Sequence, residues 1–136
     1  MEFEIKKHFP TNKEFNTLFE SVGWGNRDDS KINSHRNASC FAVCVYKQNA
    51  IVGMARVVGD GAYYTIFDVV VHSNHQKQGI GSILIKEIVN WFESIKDNDS
   101  YLYLGASENK EKFYEKFGFK SRPYAGMGAG MKYDPN

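Results

Sequence analysis

The stretch that decides the fold reads DVVVHSNHQKQGIGS and runs from Asp68 to Ser82. Its β-branched start predicts a buried strand, its polar middle predicts a loop, and Gly79-Ile80-Gly81 precedes a helix. The first N–H groups of a helix have no intrahelical partner and lie at the positive end of its dipole. Glycine also lets a backbone approach a ligand closely. The stretch therefore predicts an anion site for a phosphate or pyrophosphate, to which Lys77 adds a charge.

The spacing of the glycines excludes two common phosphate-binding motifs. A P-loop needs Gly-x4-Gly-Lys-Ser/Thr, and no segment of the chain matches it. A dinucleotide fingerprint needs a third Gly or Ala three residues after Gly81, where Leu84 stands. The later cluster at 126–130 has too few residues after it to open a helix, so we expect a bent edge strand or a loop there.

The segments before the deciding stretch predict two helical regions and then a β-rich half. Residues 3–7 alternate and predict a short first strand. Thr11 and Glu14 have the spacing of a capping box at a helix start, and Gly23 ends that helix. The polar segment 26–37 predicts either a short helix or a mobile loop. Three β-rich runs joined by turn residues then predict consecutive antiparallel strands at 39–46, 50–58 and 63–72.

The segments after it alternate between helix and strand. Apolar residues at three- and four-residue spacing predict an amphipathic helix from Ser82 to about Lys96. The remaining predicted elements are a strand, a helix that Gly118 ends, and two closing strands, at 101–105, 109–117, 119–122 and 130–133. This order predicts an α/β fold of the α+β type, with a mixed, mostly antiparallel central sheet flanked by helices.

Bulk composition excludes several classes of protein. The length of 136 residues predicts a single domain over 1–136. Seventeen Lys and Arg against sixteen Asp and Glu give a formal net charge of +1, which argues against a nucleic-acid partner and against polybasic membrane binding. The chain has no apolar run of roughly 18 residues, and its start lacks an apolar signal core. We therefore expect a cytoplasmic protein without a membrane partner.

The two cysteines, Cys40 and Cys44, lie on one predicted strand. Four residues along a strand separate their Cα atoms by roughly 13 Å, beyond the reach of a disulfide. Without a second cysteine pair nearby, the pattern also argues against zinc, and we expect no metal. Two reduced thiols packed in the interior are predicted.

Two motifs together resemble the GNAT superfamily of acyl-CoA-dependent N-acyltransferases. The segment QKQGIG at 76–81 is similar to the family signature Gln/Arg-x-x-Gly-x-Gly/Ala, with the expected strand before it and helix after it. The segment FYEKFGF at 113–119 is similar to the second hallmark, a Tyr followed by Gly-Phe at the end of the last helix. The gap between them accommodates the expected helix, strand and helix. The resemblance covers the whole chain in element order and is strongest over 64–120.

The resemblance implies acetyl-CoA as cosubstrate and a splayed strand at the CoA site. In the family, the loop and helix start bind the pyrophosphate through backbone N–H groups. The strand pairs with the pantetheine arm, and one of its N–H groups polarises the thioester carbonyl. Many relatives have an Asn seven residues before the Tyr, where this chain has Ser107. The nearby Asn109 is the candidate that replaces it as a CoA contact. The implied binding residues are Val69, Val70, Val71, Gln76, Lys77, Gln78, Gly79, Ile80, Gly81, Ser82 and Asn109.

The resemblance also implies a catalytic pair and direct attack by the amine without a covalent enzyme intermediate. Tyr114 matches the family's general acid, which protonates the departing CoA thiolate, and the alternative is an aromatic core residue beside Phe113 and Phe117. Asp68 is the candidate base, alone or through water, because a carboxylate often occupies this position in the family. The alternative is a structural Asp at the splay. His72 and His75 flank the loop as phosphate contacts or as solvated loop residues.

The acceptor implied by the resemblance is a small primary amine or a peptide amine. Trp24, Phe41, Tyr124 and Met127 are candidates for a ring-rich acceptor pocket. Asp28, Asp29 and Asp60 are candidates to attract a cationic amine, and core or surface roles are the alternative for all seven. A catalytically silent CoA-binding or regulatory domain on the same fold is the alternative function. A homodimer is compatible with the sequence.

Overall fold

A computed structural model describes residues 2–135, which fall into two compact units divided after Leu104. The first unit contains a five-stranded sheet in the order β1-β2-β3-β4-β5. Pairing is antiparallel from β1 to β4 and parallel between β4 and β5, which confirms the α+β class with a mixed, mostly antiparallel sheet. Its elements are β1 (Phe3–Lys6), α1 (Asn12–Ser21), α2 (Asp29–Ala38), β2 (Ser39–Lys47), β3 (Ala50–Gly59), β4 (Tyr63–Val71), a 3-10 turn (Ser73–His75), α3 (Ile80–Ile95) and β5 (Tyr101–Leu104).

Side-chain caps determine where the first two helices begin. The N–H of Glu14 donates to Thr11 Oγ1 at 3.1 Å, and the N–H of Thr11 donates to Glu14 Oε1 at 2.9 Å, so the predicted capping box is confirmed. The polar segment 26–37, for which the sequence predicts either a short helix or a loop, forms most of α2. The Asp28 carboxylate accepts from the N–H of Lys31 at 2.9 Å and satisfies one of the unpaired donors of that helix start.

The core consists of two layers, one on each face of the sheet. In the first layer, α1 and α2 pack on the sheet through Phe15, Leu18, Phe19, Ile32, Cys44, Tyr46, Ile51, Met54 and Val70. The second layer lies under α3, whose buried residues are Ile80, Leu84, Ile85, Ile88 and Phe92. Because side chains alternate along a strand, Cys44 on β2 faces the first layer and Phe41 faces the second. Phe41 stacks there on Trp91 of α3, with ring centroids 4.8 Å apart.

Gly53 on β3 allows the first turn of α3 to lie close to the sheet. A Cβ at this position would lie 2.6 Å from Ile80 Cγ2 and 3.3 Å from Leu84 Cδ1, and both side chains are buried. We expect Gly53→Ala to lower the free energy of unfolding by about 1–3 kcal/mol, because overpacking a tight contact strains its neighbours. Urea denaturation measures this change. Gly105→Ala is the matched control, since a Cβ there meets no described atom within 4 Å. Equal denaturation midpoints for the two variants would contradict the close approach.

The second unit, residues 105–135, contains α4 (Glu111–Glu115). This helix is shorter than the predicted helix over 109–117. Asn109 has φ +69°, a left-handed conformation that no helix interior tolerates, so the helix begins after it. Gly118, with φ +98°, does not end the helix as predicted, because the helix already ends at Glu115 with Lys116 as its C-cap residue.

The two predicted closing strands, 119–122 and 130–133, are wrong, because neither segment is a strand in the described structure. The backbones of Tyr124 and Met127 bond to each other in both directions, at 3.1 and 2.8 Å. Arg122 Nε donates to the carbonyl of Gly128 at 2.7 Å. These local hydrogen bonds form a turn between the two segments that were predicted as strands.

Both cysteine thiols are free, as predicted, but only one is packed. Cys44 is buried, its Sγ donates to the carbonyl of His8 at 3.2 Å, and burial raises the pKa of this thiol to about 12. Cys40 is exposed, which corrects the prediction of two packed thiols. Among residues 2–135, no helix is long and apolar enough to cross a bilayer.

Candidate functional site

Helix α3 begins with a set of unpaired backbone donors. Gly79 is its N-cap residue, with φ +85°, and no side chain among residues 2–135 caps this helix start. The first intrahelical bond runs from the N–H of Ile83 to the carbonyl of Gly79 at 3.1 Å. The N–H groups of Ile80, Gly81 and Ser82 therefore have no intrahelical acceptor. A Cβ at Gly79 would meet no described atom within 4 Å, so the space beside these donors is open. Helix starts with such donors are known phosphate-binding sites.

The loop before α3 is fastened to the end of β4. Gln76 Nε2 donates to the carbonyl of Val71 at 3.2 Å. Lys77 follows with φ +64°, and the side chains of Lys77 and Gln78 are exposed. Gln76 thus holds the loop in place, and a phosphate contact by Lys77 stays a prediction.

The open edge of β4 lies directly before this loop. Parallel pairing between β4 and β5 runs from Tyr63 with Tyr101 to Ile66 with Leu104. Residues 67–71 of β4 therefore extend beyond the last paired residue of β5, and within the described chain no strand pairs with them on that side. This is the splay that the resemblance implies, and it leaves backbone groups that an extended ligand can pair with.

Two of the three predicted valines face this open edge. The N–H of His72 donates to the carbonyl of Val52 on β3 at 2.9 Å. Because backbone groups alternate sides along a strand, Val70 also faces β3, while Val69 and Val71 face the open edge. Val70 is buried in the first core layer. The geometry brings Val69 and Val71 to the candidate site, and Val70 supports it from the core.

Asp68 forms an ion pair that the sequence interpretation did not include. Arg56 Nε on β3 donates to Asp68 Oδ2 at 2.7 Å, and the two side chains are 11% and 16% exposed. Arg56 Nη1 also donates to Ser39 Oγ at 3.3 Å, and its guanidinium lies 5.5 Å from the Phe67 ring centroid. One signal for this pair exists in the sequence, because each of two adjacent apolar strands carries a single interior charge.

A second arginine holds His35 close to this pair. Arg27 Nη1 donates to His35 Nε2 at 2.6 Å. Burial, followed by the charges of Arg56 and Arg27, lowers the pKa of His35, so its ring is neutral at neutral pH. Because Arg is only a donor, Nε2 is the acceptor and the proton lies on Nδ1. His35 therefore has no free ring nitrogen to accept a substrate proton.

Tyr114 lies on α4 among aromatic rings of the second unit. Its ring centroid is 5.0 Å from that of Phe113 and 6.2 Å from that of Phe119, both edge-on. Burial raises the pKa of Tyr114 above its usual value. The phenol is therefore protonated at neutral pH, as a proton donor must be.

The predicted ring-rich pocket is not assembled in full. Trp24 packs edge-on against Phe19 in the first layer, at 5.2 Å, and is 52% exposed. Phe41 stacks on Trp91 in the second layer, on the other face of the sheet. In the second unit, Tyr124 is paired with Met127 by backbone bonds. Trp24 and Phe41 therefore do not line one pocket.

The three predicted carboxylates have local structural roles. Asp28 caps α2, and Asp29 Oδ1 accepts from Asn12 Nδ2 at 3.1 Å. Asp60 Oδ1 accepts from the N–H groups of Ala62 and Tyr63, each at 2.9 Å. Hydrogen bonds from the backbone lower the pKa of Asp28 and of Asp60. A role in attracting a cationic amine stays a prediction for these residues.

The two loop histidines differ in their surroundings. His72 Nδ1 accepts from the N–H of Asn74 at 3.1 Å, which stabilises the 3-10 turn. His75 Nδ1 is buried and has no hydrogen-bond partner among the described residues. A phosphate contact by either ring stays a prediction.

The fold and this site define an α+β domain with a splayed central sheet and an uncapped, glycine-led helix beside the splay. A family model described as an acetyltransferase (GNAT) domain matches residues 37–121. The chain belongs to the GNAT acetyltransferase family.

Individual proteins agree with this assignment. The chain is 34% identical over 115 residues to the uncharacterized N-acetyltransferase ycf52 of Gracilaria tenuistipitata var. liui, covering 78% of this chain and 60% of the relative. The chain thus spans about three fifths of the length of such curated relatives. A probable acetyltransferase from meticillin-resistant Staphylococcus aureus superposes with a TM-score of 0.83 at 26% identity, covering 97% of this chain and 98% of the other. A GNAT family acetyltransferase from Brucella melitensis, solved with acetyl-CoA, has the same fold, with a TM-score of 0.65 at 19% identity and coverage of 88% and 83%.

Proposed function

We propose that the protein is an N-acetyltransferase that moves an acetyl group from acetyl-CoA to an amine by direct attack. The observation that carries this proposal is the open β4 edge at Val69 and Val71 immediately before the unpaired donors of α3. An acyl carrier with a pyrophosphate and an amide-containing arm fits both features. Membership of the GNAT family supports the same reaction.

The residues of the chain have distinct tasks in this reaction. The N–H groups of Ile80, Gly81 and Ser82, with the charge of Lys77, bind the pyrophosphate. Val69 and Val71 pair with the pantetheine arm, and the Val69 N–H polarises the thioester carbonyl. The amine nitrogen forms a bond to the carbonyl carbon while the carbon–sulfur bond breaks.

Two proton transfers complete the reaction. The departing thiolate receives a proton from Tyr114, whose phenol is protonated at neutral pH. The attacking amine loses a proton either to Asp68, directly or through water, or to a chain of water molecules without Asp68. The family match runs from residue 37 to residue 121 and so spans the division after Leu104. This supports one functional domain over 1–136.

The acceptor is proposed as a small primary amine or a peptide amine. Trp24 is the aromatic residue of the first unit that stays half-exposed beside α1, and Tyr124 is 41% exposed in the second unit. Both are retained as candidate acceptor contacts. Phe41 is not retained, because its ring is covered by Trp91.

Thermal unfolding with added ligands tests the proposal first. Acetyl-CoA or CoA at 100 times its Kd is expected to stabilise the fold by about 2.7 kcal/mol, a rise in Tm of several degrees, whereas NADH gives none. Absence of a shift with acetyl-CoA, in protein shown to be folded, contradicts the proposal. Thiol release from acetyl-CoA across a panel of amines then separates an enzyme from a silent CoA-binding domain, which binds without turnover.

A further inference from the structure

The backbone of β4 contains an extra residue at Asp68. Up to Phe67, β4 pairs with β3 in one register, and from Val70 onward it pairs in a register shifted by one residue. Asp68 lies at the shift and has φ +55°. Two residues of β4 therefore oppose one of β3, which is the geometry of a β-bulge.

This bulge decides which amides face the open edge. The N–H of Tyr101 on β5 donates to the carbonyl of Ala62 at 2.8 Å, so Ala62 faces β5, and regular alternation then makes Phe67 face β3. Without an extra residue, the same alternation would make Val69 and Val71 face β3 as well. The bulge reverses the alternation, and both residues face the open edge instead.

The side chain of Asp68 is anchored across two strands. Its Oδ2 accepts a hydrogen bond from Arg56 Nε at 2.7 Å, and Arg56 Nη1 donates to Ser39 Oγ on β2 at 3.3 Å. Both members of the ion pair are largely shielded from water, so solvent screens their attraction less than at the surface. A positive φ disfavours most residues, and Asp and Asn tolerate it best after Gly. The hydrogen bond from Arg56 therefore holds Asp68 in the conformation that creates the bulge.

We propose that Arg56 and Asp68 form a positioning pair for acetyl transfer, in which the hydrogen bond from Arg56 Nε to Asp68 Oδ2 fixes the bulge that aims the Val69 N–H at the thioester carbonyl. The proposal rests on the proposed function and gives Asp68 a task that requires no proton transfer. It makes Arg56 a functional residue of the same site. A general base and a positioning residue respond differently to substitution, so the two roles can be separated.

Asp68→Asn and Asp68→Ala form the matched test. Asn adopts a positive φ readily and its Oδ1 can accept from Arg56, but it cannot act as a base. For a positioning pair, Asp68→Asn keeps kcat within about fivefold of wild type with an unaltered pH–rate profile, and Asp68→Ala lowers kcat by about tenfold or more. For a general base, both variants lose about a hundredfold or more, and the acidic limb of the profile disappears. That second result overturns the proposal.

Substitution of Arg56 tests the positioning pair independently. It remains a valid test if the Asp68→Ala variant does not fold. Arg56→Met is expected to lower kcat by about tenfold and to raise the KM for acetyl-CoA several-fold, because a disturbed bulge misplaces the Val69 and Val71 groups that pair with the pantetheine arm while the pyrophosphate donors are unchanged. Arg56→Lys is expected to recover part of the loss, since the ammonium can still pair with Asp68. An Arg56→Met enzyme with the kcat of wild type overturns the proposal.

A structural readout separates this proposal from the proposed function. If the folded wild-type protein acetylates no amine, the proposed function fails, and NMR of the nitrogen-15-labelled protein still tests the bulge. The amide resonances of Val69 and Val71 are expected to stay near their wild-type positions in Asp68→Asn and to shift in Asp68→Ala and Arg56→Met. Unshifted resonances in all three variants overturn the positioning pair.

Discussion

Ser82→Glu is expected to raise the Kd for acetyl-CoA by about 10- to 100-fold without destabilising the fold. Ser82 lies in the first turn of α3, where its N–H has no intrahelical acceptor. A carboxylate there interacts favourably with the helix dipole and stabilises the helix by about 0.3–1 kcal/mol. The same charge repels a pyrophosphate bound at the helix start by a few kcal/mol, reduced by solvent screening. Calorimetric titration and thermal unfolding of the free protein measure the two effects.

Two variants control for charge and for size. Asn90→Glu adds the same charge to an exposed position of α3 far from its N-terminus and is expected to bind acetyl-CoA as wild type does. Ser82→Gln adds a similar volume without the charge and is expected to weaken binding only a few-fold. Wild-type affinity in Ser82→Glu would place the pyrophosphate somewhere other than the start of α3.

Elements specified by local sequence were predicted well. The capping box at Thr11 and Glu14 depends on residues three apart, and the strands of the meander follow from β-branched runs between turns. Helix α2 stayed undecided because Ile32 is the one apolar side chain of this polar segment that the first core layer buries. Its formation depends on that tertiary contact, which periodicity over ten residues does not reveal.

Features that depend on register were not predicted. The Arg56–Asp68 ion pair requires a one-residue shift between β3 and β4, and the bulge occurs at an Asp rather than at a Gly that would have marked it. The separation of Trp24 from Phe41 depends on which face of β2 packs on α3. The closing strands were wrong because a strand needs a partner strand, and neither segment pairs with a strand in the described structure.

The glycine-led start of α3 follows more directly from the sequence than the role of Asp68 does, and the reason is physical. The glycines at 79 and 81 act through their own backbone. Because this effect is local, it can be predicted from the sequence without knowledge of tertiary contacts. The structure shows two further features of this helix start: no described side chain caps it, and Gly79 has a positive φ. Asp68 acts through a partner on another strand, and its role is decided by a contact that only the folded sheet creates.

Tyr114→Phe is expected to lower kcat by about a hundredfold and to leave the KM for acetyl-CoA nearly unchanged. The change removes one hydroxyl and keeps the ring that packs on Phe113 and Phe119, so the fold is retained. Tyr133→Phe removes a hydroxyl from an exposed ring of the same unit and is the control with wild-type kcat. Single-turnover measurement isolates the chemical step.

The pH dependence of the wild-type rate gives this role of Tyr114 a second test. A general acid acts in its protonated form, so its contribution is present at low pH and disappears as pH rises through its pKa. Because burial raises the pKa of Tyr114 above its usual value near 10, the alkaline limb that it causes is expected above pH 10. The limb is expected to be absent from Tyr114→Phe. A variant that retains both the limb and the wild-type kcat would show that another group protonates the thiolate.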